Sequence, residues 1–228
     1  MKFEPSITEA HGLELLSANM RSIISIGIST GGSAEIQMAR LCPNATIIAT
    51  TIDERGLAET KAEIEKLGLS NRIICKLANC AESWAPLFSG AVSAGDSVAG
   101  RRQGADFIYA RLVLHYLTKR ELDAALCEMR RALKPNGRAF IVVRSIDEPE
   151  LVGQNKTPAA ETGFIHYIDF TGKPVARQFF SPETLRAVLT KNGFSVERID
   201  TANEHCFSDF ARTIRNPRAN ILLEAVVH

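Results

Sequence analysis

Continuous apolar runs alternate with amphipathic segments along the first two thirds of the chain. The runs cover residues 23–28, 46–52, 72–77, 106–110 and 138–143. A strand that is covered on both faces is apolar for most of its length, so these five runs predict the strands of a buried parallel sheet.

The segments between the runs repeat apolar residues at helical spacing. Helices are predicted over residues 33–41, 53–68 and 118–133, and an amphipathic leading helix is predicted over residues 6–19. Strands that alternate with helices indicate a doubly wound α/β fold, with helices on both faces of the sheet and right-handed crossovers.

The remaining segments have other patterns. Residues 85–104 are rich in Gly, Ser and Ala and predict a loop, with one turn of helix near Trp84. Residues 163–170 and 175–180 flank Thr171-Gly172-Lys173-Pro174 and predict a hairpin. A capped helix and two closing strands follow at residues 181–193, 195–200 and 221–227.

The composition is that of an ordinary globular protein, since 45% of the 228 residues are hydrophobic. The formal net charge is +1, so no electrostatic argument favours a nucleic acid or an anionic membrane as a partner. No apolar stretch approaches the ~20 residues of a membrane span, and no apolar signal region follows the N-terminus. These features predict a cytoplasmic protein.

The cysteines form no Cys-x-x-Cys pair and have no histidine at ligand spacing, so no metal site is predicted. They indicate reduced, mostly buried thiols. They are Cys42, Cys75, Cys80, Cys127 and Cys206.

The most informative segment is Ile26-Gly27-Ile28-Ser29-Thr30-Gly31-Gly32-Ser33, in which a buried strand turns through glycines into a helix. This construction lets a nucleotide-like ligand lie against bare backbone at the carboxyl end of a sheet. The ends of the other strands, at residues 51–53, 79–81 and 110–116, are expected on the same edge, because ligands in such sheets bind beyond the carboxyl ends of the strands.

Two further segments make the pattern more specific. They are Asp106-Phe107-Ile108-Tyr109-Ala110-Arg111-Leu112-Val113-Leu114-His115-Tyr116-Leu117 and Arg131-Ala132-Leu133-Lys134-Pro135-Asn136-Gly137-Arg138. With the glycine loop, they resemble the class I S-adenosylmethionine-dependent methyltransferases. The resemblance implies a Rossmann-like, doubly wound, seven-stranded sheet that is mostly parallel, with residues 221–227 as one antiparallel strand.

The resemblance extends over the whole chain and implies a single domain. Its expected parts are a leading helix at residues 1–20, a nucleotide-binding core at 21–146, a substrate cover at 147–180, and a closing helix with a strand pair at 181–228.

The resemblance also implies which positions hold S-adenosylmethionine. They are Gly27, Ser29, Gly31, Gly32, Thr51, Ile52, Asp53, Asn79, Cys80, Ala81, Ala110 and Arg111. The chain departs from the family pattern at Ser25 and Thr51, where members carry acids, and at Ser29, where they carry glycine. A threonine in place of the ribose-binding acid should weaken binding by about 1.5 to 3 kcal/mol unless Asp53 or Glu54 reaches in.

By the same resemblance, His115 and Tyr116 are placed near the transfer site as candidate catalytic residues. Arg144, His166 and Tyr167 are candidates for contact with the substrate. Alternation along a strand puts His166 and Tyr167 on opposite faces of the hairpin.

The leading hypothesis is methyl transfer from S-adenosylmethionine to a small-molecule acceptor, with no nucleic-acid or membrane partner. A second hypothesis is a non-catalytic binding or scaffold protein on the same fold, which the residues Ser25, Ser29 and Thr51 motivate. A third is a nicotinamide-dependent oxidoreductase, against which the Leu133-Lys134-Pro135-Asn136-Gly137 segment and the lack of a Tyr-x-x-x-Lys pair argue.

Overall fold

The computed structural model describes residues 5–28, 30–88, 104–206 and 215–228. Its helices are α1 Ile7–Glu14, α2 Ser33–Leu41, α3 Glu54–Lys66, α4 Ala85–Phe88, α5 Lys119–Ala132 and α6 Pro182–Lys191. Its strands are β1 Ser22–Ile26, β2 Thr46–Thr51, β3 Ile73–Leu77, β4 Ala105–Arg111, β5 Leu133–Arg144, β6 Ile165–Ile168, β7 Pro174–Arg177, β8 Val196–Glu204 and β9 Asn220–Val227. Short 3₁₀ turns lie at Thr30–Gly32, Leu114–Tyr116 and Pro149–Leu151.

Seven strands form one sheet in the order β3-β2-β1-β4-β5-β9-β8. The first five strands in this order pair in parallel, and β9 runs antiparallel to both of its neighbours. The mostly parallel sheet with one antiparallel strand is therefore confirmed. Strands β6 and β7 form a separate antiparallel hairpin, as their sequence pattern predicts.

Helices cover both faces of the sheet. Side chains of α1, α2 and α3 pack on one face, where Phe107 and Phe140 are fully buried. Side chains of α4, α5 and α6 pack on the other face, together with Trp84. Strand order reverses between β1 and β4, and this is the position where a ligand site is expected in such a sheet.

Local sequence signals set several element boundaries. Thr118 and Glu121 form a reciprocal capping box at the start of α5, and Ser181 caps α6 with a proline at its first position. The leading helix ends at Glu14, earlier than the predicted residue 19, and β8 is longer than predicted. Most of the predicted loop at residues 85–104 lies outside the described residues.

Strand β5 begins earlier than its apolar run suggests. Leu133 already pairs with Ala105, and the register then shifts so that Arg138 pairs with Phe107. A side chain at Gly137 would come within 2.6 Å of the Ala105 carbonyl oxygen. Residues 133–137, which directly follow α5, therefore form an irregular first part of strand β5 and not a turn outside the sheet.

Candidate active site

The glycine loop lies at the carboxyl end of β1. The amides of Gly27 and Ile28 both donate to the Thr50 carbonyl, at 2.8 and 2.9 Å. Gly27 and Gly31 have φ values of 79° and 66°, which side chains with a Cβ rarely adopt. A Cβ on Gly31 would meet no atom within 4 Å, so the loop leaves its backbone accessible there. Gly32 also has a positive φ, and Ser29 lies outside the described residues.

The end of β4 contacts this loop directly. A Cβ on Gly27 would lie 2.1 Å from a methyl carbon of Val113, so the valine packs where a side chain would otherwise stand. Leu112, just before it, has a φ of 56° and is the non-glycine residue with positive φ among those described. The chain then enters the 3₁₀ turn Leu114–Tyr116, which carries His115 and Tyr116.

Three residues at the end of β2, Thr51, Ile52 and Asp53, lie at the same edge of the sheet. The Asp53 amide donates to the Thr51 hydroxyl at 3.1 Å, and the Asp53 carboxylate caps α3 through the amide of Arg55. Ile52 is 76% exposed. Because β1 and β2 are neighbours, these groups lie beside the glycine loop.

The segment after β3 is held by its own hydrogen bonds. The Asn79 side-chain oxygen accepts from the Ala81 amide at 3.0 Å, and the Trp84 indole donates to the Cys80 carbonyl at 3.1 Å. Burial raises the pKa of the Cys80 thiol to about 11, so it stays protonated. Trp84 is 2% exposed and belongs to the core, where it anchors this segment.

His115 is buried at the edge, with 1% of its surface exposed. Its Nδ1 atom has no hydrogen-bond partner among the described residues. Burial, assisted by the positive charges of Arg144 and Arg177, lowers the pKa of His115 well below its ordinary value. The ring is therefore neutral near pH 7 and keeps a lone pair. The Tyr116 ring lies beside it, with a centroid distance of 4.3 Å and a tilt of 37°, and Tyr116 is 54% exposed.

The segment after β7 closes over this site. The Gln178 amide donates to the His115 carbonyl at 2.8 Å, and the Phe180 amide donates to the Arg144 carbonyl at 3.0 Å. These bonds join the cover to the ends of β4 and β5, and so they bury His115.

The hairpin presents its two faces as predicted. Tyr167 is buried against the edge of the Phe179 ring and accepts a hydrogen bond from Arg177 at 2.9 Å, and burial raises its pKa to about 12. His166 points to the opposite, exposed face. Tyr167 therefore lies on the buried face of the hairpin and His166 on the exposed face, because successive side chains on a strand alternate.

The guanidinium of Arg111 is held by residues of the N-terminal segment and of β8. It donates to the hydroxyls of Thr8 and Ser6 at 2.7 and 2.9 Å and pairs with Glu204, which joins α1 to β8. Of the two predicted cofactor positions at the end of β4, Ala110 is fully buried, and Arg111 has only its backbone left to offer. Spacing alone does not reveal this, because the partners lie about a hundred residues away in sequence.

Arg144 also has buried partners. It donates to Glu148 at 2.9 Å and lies 3.5 Å from Glu150, while Asn220 donates to Glu148 at 3.1 Å. Its Nε atom has no hydrogen-bond partner among the described residues. This network fixes the end of β5 beneath the cover.

A second polar cluster lies under the glycine loop and was not predicted. The Ser25 hydroxyl donates to Glu35 at 2.6 Å, and the Ser33 hydroxyl donates to Glu9 at 3.1 Å. Both carboxylates are buried, as is the Tyr109 side chain beside them. The only sequence signal for this cluster is an acidic residue in each of the two helices.

The described residues contain no group of three or more metal-ligating side chains. None of the described helices is both long and apolar enough to cross a membrane. All five cysteines are free thiols, and three of them are buried.

The sheet order and the glycine loop define a methyltransferase of the class I fold. A family model described as a methyltransferase domain matches residues 13–199. The chain belongs to this family, and S-adenosylmethionine is its cofactor. No curated protein matches the chain.

Solved structures with the same fold are distant in sequence. The CcbJ methyltransferase from Streptomyces caelestis has 14% identity and a TM-score of 0.61, and the alignment covers 97% of this chain and 93% of that one. The N-terminal domain of EvdMO1, solved with SAH bound, has 15% identity and a TM-score of 0.61, with 96% and 79% covered. The mitomycin 7-O-methyltransferase MmcR has 15% identity and a TM-score of 0.58, and the chain spans 52% of its length.

The residues at the edge fit the cofactor. The open approach at Gly31 suits a ligand that lies on the backbone, and the N-terminus of α2 directly follows this turn and favours a negatively charged group. The exposed Ile52 offers an apolar surface for a base, with the oxygens of Thr51 and Asp53 beside it.

Proposed function

We propose that the chain transfers the methyl group of S-adenosylmethionine to a hydroxyl of a small-molecule acceptor. The observation that carries this proposal is the packing of Val113 against Gly27, which supports a position for His115 next to the cofactor-binding loop. Bound S-adenosylmethionine would supply a methyl group on a sulfonium; the acceptor oxygen attacks the methyl carbon in line, the carbon–sulfur bond breaks, and S-adenosylhomocysteine leaves. The residues of the chain then have two tasks, which are to position both molecules and to take up the acceptor's proton.

The first task falls to the carboxyl edge of β1 and β2. The amides of Gly31 and Gly32, at the N-terminus of α2, hold the cofactor carboxylate. Thr51 and Asp53 hold the ribose hydroxyls, and Ile52 covers one face of the adenine. The Asp53 carboxylate caps α3 through its Oδ1 atom, and a carboxylate can accept further hydrogen bonds from ribose hydroxyls. The threonine at position 51, in place of the family's acid, is the reason that the proposal includes a weakened ribose contact.

The second task falls to His115. Its neutral ring accepts the acceptor's hydroxyl proton, and the buried Nδ1 atom is the candidate for this role. A ring with a lowered pKa is a weak base, but the hydroxyl becomes strongly acidic as its oxygen forms the new bond to carbon. A weak base at hydrogen-bond distance therefore suffices.

The acceptor is expected to be small because the cover closes tightly. Gln178 and Phe180 hold the segment after β7 onto the ends of β4 and β5, and Tyr167 and Phe179 form an aromatic wall. One neighbour in fold, the mitomycin 7-O-methyltransferase MmcR, is named for methylating an oxygen of a small molecule, and this supports an acceptor of that class.

Calorimetric titration with S-adenosylhomocysteine tests the cofactor site, and methyl transfer to a panel of small hydroxylated acceptors tests the activity. We expect saturable binding, and we expect His115→Asn to lower kcat by about 10²- to 10⁴-fold while the affinity for S-adenosylhomocysteine stays unchanged. Absence of binding at millimolar ligand would contradict the proposal. A His115→Asn variant with full activity would remove the base from the mechanism.

The Thr51→Asp variant separates the enzyme from a non-catalytic protein on the same fold. An added carboxylate should strengthen ribose binding by about 1.5 to 3 kcal/mol, because the hydrogen bonds become charge-assisted. In an enzyme the parent already binds, and the variant binds more tightly. Binding that exists only in the variant would favour the non-catalytic alternative.

A further inference from the structure

Arg177, the last residue of β7, has a positively charged side chain that contacts two tyrosines. It donates a hydrogen bond to the Tyr167 hydroxyl at 2.9 Å, and its central guanidinium carbon lies 5.0 Å from the centre of the Tyr116 ring. A guanidinium is attracted to an aromatic face, and its planar fork loses little freedom when it binds a further group. The two tyrosines therefore hold the guanidinium in position while most of its N–H donors stay available.

The backbone joins Arg177 to the candidate base. Gln178, the next residue, donates its amide to the His115 carbonyl at 2.8 Å. The Tyr116 ring contacts both side chains, since its centre lies 4.3 Å from that of the His115 ring and 5.0 Å from the Arg177 guanidinium. Because one ring contacts both groups, a single small molecule can reach the guanidinium and the imidazole together.

Two arginines act on His115 with their positive charge, and they differ in their partners. Arg144 donates to Glu148 at 2.9 Å and lies 3.5 Å from Glu150, so buried carboxylates compensate its charge. Arg177 is half-buried, and its polar partner among the described residues is the neutral Tyr167 hydroxyl. Of the two arginines, Arg177 is therefore the one that can bind an anion.

One carboxylate of the hairpin acts on Arg177 without forming an ion pair with it. The charge of Arg177 contributes to lowering the pKa of Asp169, after burial, which acts in the opposite direction, and after local hydrogen bonds. These bonds come from the amides of Thr171 and Lys173 in the hairpin turn, at 2.8 and 3.1 Å. Asp169 is thus held in the turn, and the guanidinium fork keeps its capacity for a second carboxylate.

His115 supplies an independent observation that points to a ligand. Its side chain is 1% exposed, and its Nδ1 atom has no hydrogen-bond partner among the described residues. Buried polar atoms normally have a partner, so a ligand group that bonds to this nitrogen would complete the site. A hydroxyl can do so, because it both donates and accepts.

We propose that the acceptor is a small hydroxy acid, whose carboxylate binds to Arg177 while its hydroxyl reaches His115. This inference rests on the proposed function and names the class of its substrate. A guanidinium fork matches a carboxylate in a bidentate geometry, and a single uncompensated cation suits a monoanion better than a phosphate dianion. The Tyr116 ring favours an acid that is built on a flat ring. Arg177 is then a specificity-determining residue and takes no part in the proton transfer.

The charge balance of the proposed reaction favours the same class of acceptor. The sulfonium of the cofactor is positive, and Arg177 adds a second positive charge near the acceptor. A carboxylate on the acceptor compensates these charges, whereas a neutral acceptor leaves them uncompensated.

The test measures binding to the chain loaded with S-adenosylhomocysteine, so it does not depend on turnover. The probes are the ortho, meta and para isomers of hydroxybenzoate, each compared with the hydroxybenzamide of the same shape, which has no charge. Arg177→Gln removes the positive charge, and Arg177→Lys keeps it without the planar fork. Arg186→Gln, at an exposed position of α6, is the matched control for the loss of one positive charge. Affinities are measured by calorimetry, and melting temperatures are recorded in parallel.

We expect at least one hydroxybenzoate to bind to the parent chain about 10- to 100-fold more tightly than its amide. Arg177→Gln should abolish this preference by weakening the acid alone, Arg177→Lys should keep part of it, and Arg186→Gln should keep all of it. Equal weakening of acid and amide in Arg177→Gln would show that Arg177 only holds the cover, and it would overturn the inference. In the parent chain, equal affinity for acid and amide, or no binding of either, would overturn it without any variant.

The same titrations separate this inference from the proposed function. If the parent chain binds S-adenosylhomocysteine but does not prefer the acids, only the assignment of the acceptor class fails. If the parent chain does not bind S-adenosylhomocysteine, the proposed function fails and the acceptor class fails with it.

Discussion

The contact between Gly27 and Val113 makes a quantitative prediction. Gly27→Ala places a methyl group 2.1 Å from a Val113 methyl carbon, at a position whose φ is 79°. Gly31→Ala is the matched control, because its φ is 66° and its new methyl group would meet no atom within 4 Å. The two variants share the backbone strain and differ in the steric clash.

The magnitudes follow from these two terms. A residue with a Cβ in the left-handed region costs about 1–2 kcal/mol, and both variants lose this amount. Overpacking adds about 1–3 kcal/mol, and only Gly27→Ala has this term. The expected losses are therefore about 1–2 kcal/mol at Gly31 and about 2–5 kcal/mol at Gly27, the sums of these terms.

Urea unfolding followed by circular dichroism measures both losses. The double variant Gly27→Ala with Val113→Ala should recover part of the steric term relative to the additive expectation, since the two side chains are in contact. If Gly27→Ala is no more destabilising than Gly31→Ala, Val113 does not pack closely on the loop. The placement of His115 beside the cofactor would then lose its support.

Three further predictions concern charged groups. Burial alone would raise the pKa of Asp106, but the 2.6 Å hydrogen bond from Lys134 and the bonds from two backbone amides outweigh burial and lower the pKa. Asp106 therefore stabilises the fold fully at pH values above the pKa of an unfolded aspartate, and this stabilisation is lost as pH falls through the lowered pKa of the folded state. Asp106→Asn should make the free energy of unfolding, measured with urea, less dependent on pH in the acid range. Burial lowers the pKa of His115, so as pH falls the unfolded state takes up a proton at a higher pH than the folded state does. The free energy of unfolding should therefore fall below about pH 6.5, by at most about 1.4 kcal/mol per pH unit, and His115→Gln should remove this pH dependence. Arg111→Met leaves Glu204 buried without its cation and should lower the free energy of unfolding, measured with urea, by about 3–5 kcal/mol. A double variant that also carries Glu204→Leu should recover part of this loss.

The fold was predictable because its signals are local. Buried parallel strands are apolar along their length, and the capping residues Thr118 and Ser181 start their helices where the sequence places them. The boundaries that differ depend on contacts between distant segments. Strand β5 extends back to Leu133 because that residue meets Ala105, and no periodicity within residues 133–137 indicates this pairing.

The site was predictable only in part, for the same reason. The ends of the strands lie on one edge, so the positions of Gly27, Thr51 and His115 followed from the topology. The direction of each side chain did not follow. Arg111 turns toward Glu204, and Glu35 turns toward Ser25, because of how α1 and α2 pack on the sheet. Sequence spacing contains no information about that packing.

The turn at Leu112 connects the hydrophobic cores on the two faces of the sheet with the candidate site at the end of β4. Its left-handed backbone costs about 1–2 kcal/mol, and its amide still donates to the Val142 carbonyl at 2.9 Å. Leu112 packs against the core on the α1 side of the sheet, and Val113 packs against the core on the α5 side. A regular strand would also send the two side chains to opposite faces, but it would carry the backbone straight out beyond the sheet. The strained turn keeps both contacts and places Val113 against Gly27, and the chain that follows it buries His115.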